Sequence, residues 1–170
     1  MGAAYWAGEH RLVRSDARAW TILRMNYFAE TLAQEGKMAA TTGMLPGFAE
    51  NRVAYVGRDD VATACAGALA SDGHNSATYN LTGPAAVTGA ERAAMLAEAG
   101  GKPLAFTEIS EAQLRAGLAQ ANLPPFIVDA LASMQAAFVE GAYDIVTGDV
   151  EQPAGRPPRP LRNLLSAAFA

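Results

Sequence analysis

Asn26 stands where a predicted strand runs directly into a predicted helix, and this junction organises the rest of the chain. Residues Trp20 to Arg24 are rich in β-branched and aromatic side chains and predict a buried strand. The residues that follow predict a helix from about Tyr27 to Gln34. In open parallel α/β sheets such junctions lie at the carboxyl ends of the strands, where ligands are usually held. The amide of Asn26 can therefore meet a ligand, or it can cap the following helix.

His10 is the second candidate for chemistry, because histidine can shuttle a proton near neutral pH. It lies one helical turn beyond Trp6 on a helix predicted from Ala3 to Ser15, so the two side chains share a face. A lone helical histidine is also a common surface or capping residue. Both interpretations of His10 remain open at this point.

Composition excludes several classes of function. The 13 Lys and Arg residues are spread along a chain of net charge −4, so we expect no basic face for nucleic acid. No run of about 18 apolar residues predicts a membrane span, and neither metal-ligand spacing nor a Gly-x-Ser-x-Gly turn occurs. The single cysteine, Cys65, lies between two alanines on a predicted helix, which indicates core packing in a reducing compartment. We expect a soluble cytoplasmic protein.

Short strands alternate with helices along the chain, and this alternation predicts an α/β fold. Gly36 predicts the end of the helix after Asn26. Residues 37–51 then predict an irregular segment, which either folds over a pocket or packs on the sheet edge. A second irregular segment is predicted at 141–152. The remaining predicted strands are 52–56, 77–81 and 104–109, and the remaining helices include 89–99 and 161–169.

Several helix starts are indicated by side chains that can accept free backbone amide hydrogens. Asp59 or Asp60 fits this N-cap role for the helix that carries Cys65. Two further starts fit the capping-box pattern, in which the first and fourth residues exchange hydrogen bonds. These capping boxes are Thr88 with Glu91 and Ser110 with Gln113.

Five segments of the chain, taken in order and spacing, resemble one protein family. The resemblance is to the carboxyl-terminal part of the NmrA-like atypical short-chain dehydrogenases, especially the type 2 NAD(P)H:quinone oxidoreductase branch. It extends over nearly all 170 residues, although each motif is short. The segments are Asp16-Ala17, Trp20 to Glu30, Arg58 to Ala62, Tyr79 to Pro84 and Gly155 to Pro158.

The resemblance implies a fold class and an assembly. The fold would be the carboxyl-terminal part of an NAD(P)-binding Rossmann-like domain, with residues 1–170 as a single substrate-side unit. It would contain two strands of a large parallel sheet, one smaller strand pair and five or six helices. Two sheet strands without their neighbours leave an edge that is prone to pairing. We therefore expect a homodimer that buries this edge, or a missing partner segment.

Two features of the family are missing from this sequence. The glycine-rich turn that lets a backbone approach a dinucleotide pyrophosphate is absent, so we do not expect the chain alone to bind NAD(P)H tightly. The Tyr-x-x-x-Lys pair is absent too, because Tyr5 is followed four residues later by Glu9. Where relatives tend to carry Lys or His, this chain has Trp6, which leaves His10 as the candidate for proton transfer.

The family's loop after the first strand passes beside the nicotinamide of NADP or NAD. Met25, Asn26 and Phe28 occupy the matching positions and are the implied cofactor-binding residues. Met25 replaces a residue that is often proline. Asn26 could hydrogen-bond a carboxamide or a quinone oxygen, or cap the helix.

The implied substrate is a quinone or a similar small carbonyl compound. Tyr27, Phe138 and Tyr143 can supply flat apolar walls for it, although core packing is the commoner role for each of these aromatic side chains taken singly. The implied function is the substrate-side portion of an NAD(P)H-dependent oxidoreductase. The alternative is a non-catalytic redox sensor or protein-interaction fragment, because the glycine turn and the Lys or His are both missing.

Overall fold

The computed structural model describes residues 2–170, with side chains from Tyr5 onwards. This part of the chain contains both strands and helices, and its two parallel strand pairs are connected through helices, which confirms the predicted α/β class. The strands are β1 Thr21–Met25, β2 Met44–Gly47, β3 Arg52–Val53, β4 Ala77–Leu81, β5 Val87–Thr88 and β6 Ala105–Glu108. The helices are α1 Gly2–Val13, α2 Ala29–Ala39, α3 Arg58–Ala70, α4 Gly89–Gly100, α5 Glu111–Gln120, α6 Pro125–Val139, α7 Glu151–Ala154 and α8 Leu161–Phe169.

The strands β1 and β4 form a parallel pair, and their carboxyl ends meet with Met25 opposite Leu81. The outer edge of β4 is closed by side chains, because the amide of Asn80 donates to Asp149 and its carbonyl accepts from the Thr147 hydroxyl. The outer edge of β1 is different. No other strand within residues 2–170 pairs with it.

Two smaller ladders accompany this pair: β2 with β6 is parallel, and β3 with β5 is antiparallel. The prediction that 37–51 is irregular is therefore wrong at β2. Pro46 and Gly47 are poor strand formers, so this strand exists because β6 pairs with it, and tertiary pairing overrides local preference. The predicted strand at 52–56 is shorter than expected, although Val56 adds an isolated parallel bridge to Phe28.

Gly36 does not end its helix, since α2 begins at Ala29 and continues to Ala39. The structural reason lies in the contact between α2 and α4. A Cβ atom on Gly36 would lie 2.4 Å from Cδ2 of the fully buried Leu96. Glycine at this position therefore allows close approach of two helices, and the prediction of a helix stop was wrong.

The aspartates at the start of α3 do not cap it. The N-cap is Gly57, which provides no side-chain hydrogen bond, and the amide of Arg58 donates to the Glu30 carboxylate at 3.0 Å. Asp60 is instead completely buried, and its carboxylate accepts from Arg156 at 2.7 Å. It also accepts from the backbone amide of Arg159 at 3.0 Å. The structure thus joins two of the segments that carry the family resemblance.

The remaining local predictions hold in most cases. Both capping boxes, at Thr88 and Ser110, are present with all their hydrogen bonds. The residues described include eight helices, more than the five or six expected, partly because α7 begins within the segment 141–152 that was predicted to be irregular. None of these helices has the length and apolarity needed to cross a membrane. No group of His, Cys, Asp and Glu within the same residues could hold a metal ion.

Candidate active site

Asn26 lies at the carboxyl end of β1 and is almost completely buried, with 8% of its surface exposed. Its side-chain Nδ2 donates to the carbonyl oxygen of Tyr143 at 3.2 Å, and its Oδ1 accepts from the amide of Tyr27 at 2.8 Å. Its backbone amide donates to Leu81 at 2.9 Å. The N-cap of α2 is Phe28, so Asn26 does not cap that helix. It ties the end of β1 to the segment after α6.

The two other predicted cofactor-binding residues differ in their exposure. Met25 presents its side chain to solvent, with 54% exposed. Phe28 is partly buried against the core around β4 and α3, and the Arg58 guanidinium lies 5.6 Å from the centre of its ring. Contact of Met25, Asn26 and Phe28 with a cofactor stays a prediction.

The predicted substrate walls come together in one aromatic cluster, which we define as Tyr27, Phe138 and Tyr143. Their rings meet edge to face, with centroid separations of 5.1 Å for Tyr27 and Phe138, 5.0 Å for Phe138 and Tyr143, and 6.1 Å for Tyr27 and Tyr143. Phe138 is buried, whereas the two tyrosines are half-buried. The cluster lies beside Asn26, because the Asn26 side chain hydrogen-bonds to the backbone of two of its members, Tyr27 and Tyr143.

Glu35 is a residue that the sequence reasoning missed. The Tyr27 hydroxyl donates to Glu35 Oε1 at 2.9 Å. Burial raises the pKa of the Glu35 carboxyl, against the opposing effects of the Tyr27 hydrogen bond and the Arg92 charge. Burial also raises the pKa of Tyr27, and the Glu35 charge and hydrogen bond add to that shift. The only signal in the sequence was the spacing of eight residues, which is about two helical turns.

Arg92 is the second functional candidate that the sequence did not reveal. It is 4% exposed, and its Nη1 donates to Asn51 Oδ1 at 2.8 Å. Its guanidinium lies 5.6 Å from the ring of Phe106 and 6.0 Å from that of Phe138. Arg92 and Glu35 line the same small recess, so a cation and an acid face each other inside the fold.

A cavity of about 430 Å³ opens beside Glu35. Its walls come from α2, the β2–β6 ladder and the two helices α5 and α6, and they are almost entirely apolar. The volume lies within the range of small-molecule sites, which are usually apolar with a few polar groups. The aromatic cluster does not line this cavity, although Glu35 connects the two through Tyr27.

The chain was compared with protein-family models, curated proteins and solved structures. No protein-family model matches the chain. The chain is 28% identical over 168 residues to an NAD(P)H azoreductase of Xenophilus azovorans, a match that covers 97% of the chain and 58% of the relative. It is 27% identical over 168 residues to quinone oxidoreductase 2 of Escherichia coli, covering 96% of the chain and 59% of the relative.

The fold is also similar to the crystal structure of that NADPH-dependent quinone oxidoreductase, QOR2, with a TM-score of 0.91 and 26% identity. The superposition covers 99% of this chain and 61% of QOR2. The structure of QOR2 complexed with NADPH gives a TM-score of 0.88 at 27% identity, over 95% of this chain and 57% of that one. These comparisons confirm that the chain resembles NAD(P)H-dependent reductases of the quinone oxidoreductase and azoreductase kind in both sequence and fold. The chain spans slightly less than three fifths of the length of the curated relatives it matches.

The relatives compared above are described as NAD(P)H-dependent reductases or quinone oxidoreductases, and they give no support to the non-catalytic alternative. Two features of the chain can be compared with what the resemblance implied. His10 is exposed on α1, and its ring stacks 3.9 Å from that of Trp6. Among the side chains described from Tyr5 onwards, His10 makes neither a hydrogen bond nor an aromatic contact with Asn26 or the aromatic cluster.

Residues 2–170 contain no glycine-rich turn that could bind the phosphates of a dinucleotide. Gly83 follows β4, but a Cβ atom there would lie 1.9 Å from the carbonyl oxygen of Tyr55, so protein backbone already fills the space that a phosphate would need. The left-handed glycines Gly43, Gly73, Gly101, Gly141 and Gly155 do not stand between a strand and the start of the next helix in a glycine-rich pattern.

Proposed function

We propose that this chain is the substrate side of an NAD(P)H-dependent oxidoreductase that reduces quinones or similar small carbonyl compounds. The observation that supports this most directly is the hydrogen bond from Asn26 Nδ2 to the carbonyl oxygen of Tyr143. It holds the aromatic cluster against the carboxyl end of β1, which is where ligands bind in parallel α/β sheets. The relatives named as azoreductase and quinone oxidoreductase support the same reaction class.

The proposed roles follow from these positions. Reduction of a quinone to a hydroquinone takes one hydride, which NAD(P)H supplies when bound, and one proton. The exposed Met25 side chain and the Phe28 ring would contact the nicotinamide, while Asn26 would position the loop between them. Tyr27 and Tyr143 would flank the flat acceptor and exclude water from it.

Proton delivery is assigned to His10 in this proposal. The helix α1 that carries it is connected to β1 by a bidentate ion pair, in which Arg24 donates to both carboxylate oxygens of Glu9. This pair places α1 over the residue before Met25. Imidazole is suited to the step because its ring nitrogens can both donate and accept a proton.

We further propose that the cofactor's phosphates are held by polypeptide that packs on the free edge of β1, either a second copy of this chain or another segment. The exposed face of α1 would take part in the same interface. Trp6 and Tyr5 on α1 are 62% and 74% exposed, which is unusual for large aromatic side chains. As a single substrate-side unit with one cysteine, Cys65, the chain would act in the cytoplasm.

The substrate side can be tested without a cofactor. Menadione, a small naphthoquinone, should quench the intrinsic fluorescence of the purified chain in a saturable way. Asn26→Ala should weaken this binding roughly tenfold, because the aromatic cluster loses its tie to β1. Asn163→Ala, at an exposed position on α8, is the matched control and should bind like the wild type. Equal binding by a folded Asn26→Ala variant would contradict the proposed site.

Turnover and assembly are measured next. NADPH is titrated by calorimetry alongside light scattering, and its oxidation is followed in the presence of menadione. A dimer that binds and oxidises NADPH would support a cofactor site completed by a second copy. A monomer that binds menadione but not NADPH would support completion by another segment. A folded chain that binds neither compound would overturn the oxidoreductase proposal.

A further inference from the structure

The cavity beside Glu35 is separate from the junction at Asn26. Glu35 follows Asn26 by nine residues, most of them in α2, which corresponds to more than two helical turns. The aromatic cluster lies between the two places, and none of its members lines the cavity. The cavity's apolar wall includes Leu114 and Leu118 of α5 and Leu131 of α6. It therefore has its own shape and chemistry, independent of the proposed cofactor loop.

Two polar side chains at one end of this cavity are available to a ligand. Glu35 uses Oε1 to accept from Tyr27, and its Oε2 makes no hydrogen bond within the described residues. Gln135 lines both the cavity and the adjoining recess, and its amide has no hydrogen-bond partner in the same part of the chain. Both side chains are partly buried and line the cavity, so their unpaired polar atoms can hydrogen-bond to a polar group brought by a ligand.

The ionisable groups around this end of the cavity determine whether a charged or a neutral ligand can bind there. Burial raises the pKa of Glu35, which favours the neutral carboxyl, and a neutral carboxyl can donate a hydrogen bond. An anionic ligand group would be repelled by Glu35 whenever that residue ionised. A cationic group would meet the buried guanidinium of Arg92, which lines the recess beside Glu35. A neutral hydrogen-bond acceptor is repelled neither by an ionised Glu35 nor by Arg92.

We propose that this cavity binds a neutral, largely apolar molecule whose carbonyl oxygen accepts a hydrogen bond from the Glu35 carboxyl, with Gln135 as a second donor. The apolar body of the ligand lies against α5 and α6. This site requires neither a nicotinamide cofactor nor hydride transfer, so ligand binding here can be tested independently of the reductase reaction.

Binding at this site depends on pH with a defined sign. The titratable or charged groups that face Glu35 are Tyr27 from its own segment, Tyr55 from the segment after β3 and Arg92 from α4. The donor is the neutral carboxyl, which predominates below the raised pKa of Glu35. Affinity for a carbonyl ligand is therefore highest on the acid side and falls as pH rises through that pKa.

Prodan, a neutral naphthyl ketone with environment-sensitive fluorescence, is a suitable probe. Binding should shift its emission to the blue. Leu118→Trp fills the cavity and should weaken binding roughly tenfold. Leu69→Trp, at a position that is 89% exposed on α3, is the matched control and should leave binding unchanged. Leu114→Phe provides a second, smaller obstruction in case the tryptophan variant does not fold.

The carbonyl contact is tested by replacing Glu35. Glu35→Leu should weaken prodan binding several-fold at acid pH, while Glu35→Gln retains a donor, binds prodan and loses the pH dependence. Binding that neither cavity-filling variant changes would show that prodan sits elsewhere and would overturn the site. Binding that is blocked by Leu118→Trp or Leu114→Phe, yet unaffected by pH or by Glu35→Leu, would overturn the carbonyl contact.

Discussion

Two sides of this molecule are built from similar helices and differ in what covers them. On the packed side, which we define as α2, α4 and α8, the residues Leu32, Leu96 and Leu165 are each at most 1% exposed. On the open side, defined as α1 and the free edge of β1, every residue from Tyr5 to Val13 except Glu9 is exposed. A helix in a globular protein usually gains its stability from tertiary packing. The difference indicates that the open side is a surface for association and the packed side holds the fold together.

Two ion pairs, one with a buried carboxylate at the start of α3 and one on the open side, should differ most under mutation. Asp60 is fully buried and paired with Arg156, so Asp60→Ala removes the carboxylate that Arg156 shares with the buried Nε atom of Arg159. We expect a loss of about 3–5 kcal/mol in the free energy of unfolding, measured by urea denaturation. Glu9→Ala removes the partly exposed partner of the exposed Arg24 on the open side and should leave the urea midpoint unchanged. A large effect of Glu9→Ala would mean that this pair is buried in solution by an association.

Apolar truncations give the next largest contrast. Leu96→Ala should cost about 2–5 kcal/mol of stability, because it leaves a cavity between α2 and α4. Leu12→Ala on α1, where the side chain is 36% exposed, should cost less than about 0.5 kcal/mol. Both values come from chemical denaturation at several protein concentrations. Should Leu12→Ala prove costly, and more so at high concentration, the open side would be covered by a second copy.

Glycine replacements should have opposite signs on the two sides. Gly36→Ala places a methyl group 2.4 Å from a methyl of the packed Leu96 side chain and should destabilise by about 1–3 kcal/mol. Gly8→Ala meets no atom within 4 Å and removes a flexible residue from α1. It should stabilise the helix by about 0.5–1 kcal/mol, which circular dichroism can detect as increased helicity. If both variants changed the stability in the same direction, the proposed contrast in packing would be refuted.

The smallest expected effect is the pH dependence of Glu35. Its pKa is raised in the folded state, so the folded chain binds more protons than the unfolded chain between the ordinary pKa and the raised one. Stability therefore falls as pH rises through this interval. Glu35→Gln should remove that fall, as seen in urea midpoints measured across the interval. Glu140→Gln, an exposed carboxyl at the end of α6, is the control and should keep the wild-type profile.

Much of the candidate site could be read from the sequence because its residues are close along the chain. Met25, Asn26, Tyr27 and Phe28 are consecutive, and the strand-to-helix pattern around them placed them at the carboxyl end of β1. The partners of these residues could not be found in the same way. Tyr143 reaches Asn26 across 117 residues, and no local pattern encodes such a contact.

Glu35 and Asp60 are two further residues whose roles could not be found from the local sequence. An acidic residue near a helix start has an ordinary local explanation as a cap, and an acidic residue inside a helix has one as part of a solvated face. The structure gives both a different role, because Arg156 and Tyr27 are brought to them by the packing of distant segments or of successive helical turns. Residue type alone does not distinguish a surface carboxylate from a buried one.

The sequence by itself determined the local elements of this protein. The capping boxes at Thr88 and Ser110, the strand Ala77–Leu81 and the helix Leu161–Phe169 follow from hydrogen bonds and periodicities that span a few residues. Only the tertiary structure decided that Gly36 lies inside a helix, that β2 is a strand and that Asp60 is buried. In each case the deciding contact comes from a residue far along the chain, whose approach no short pattern specifies.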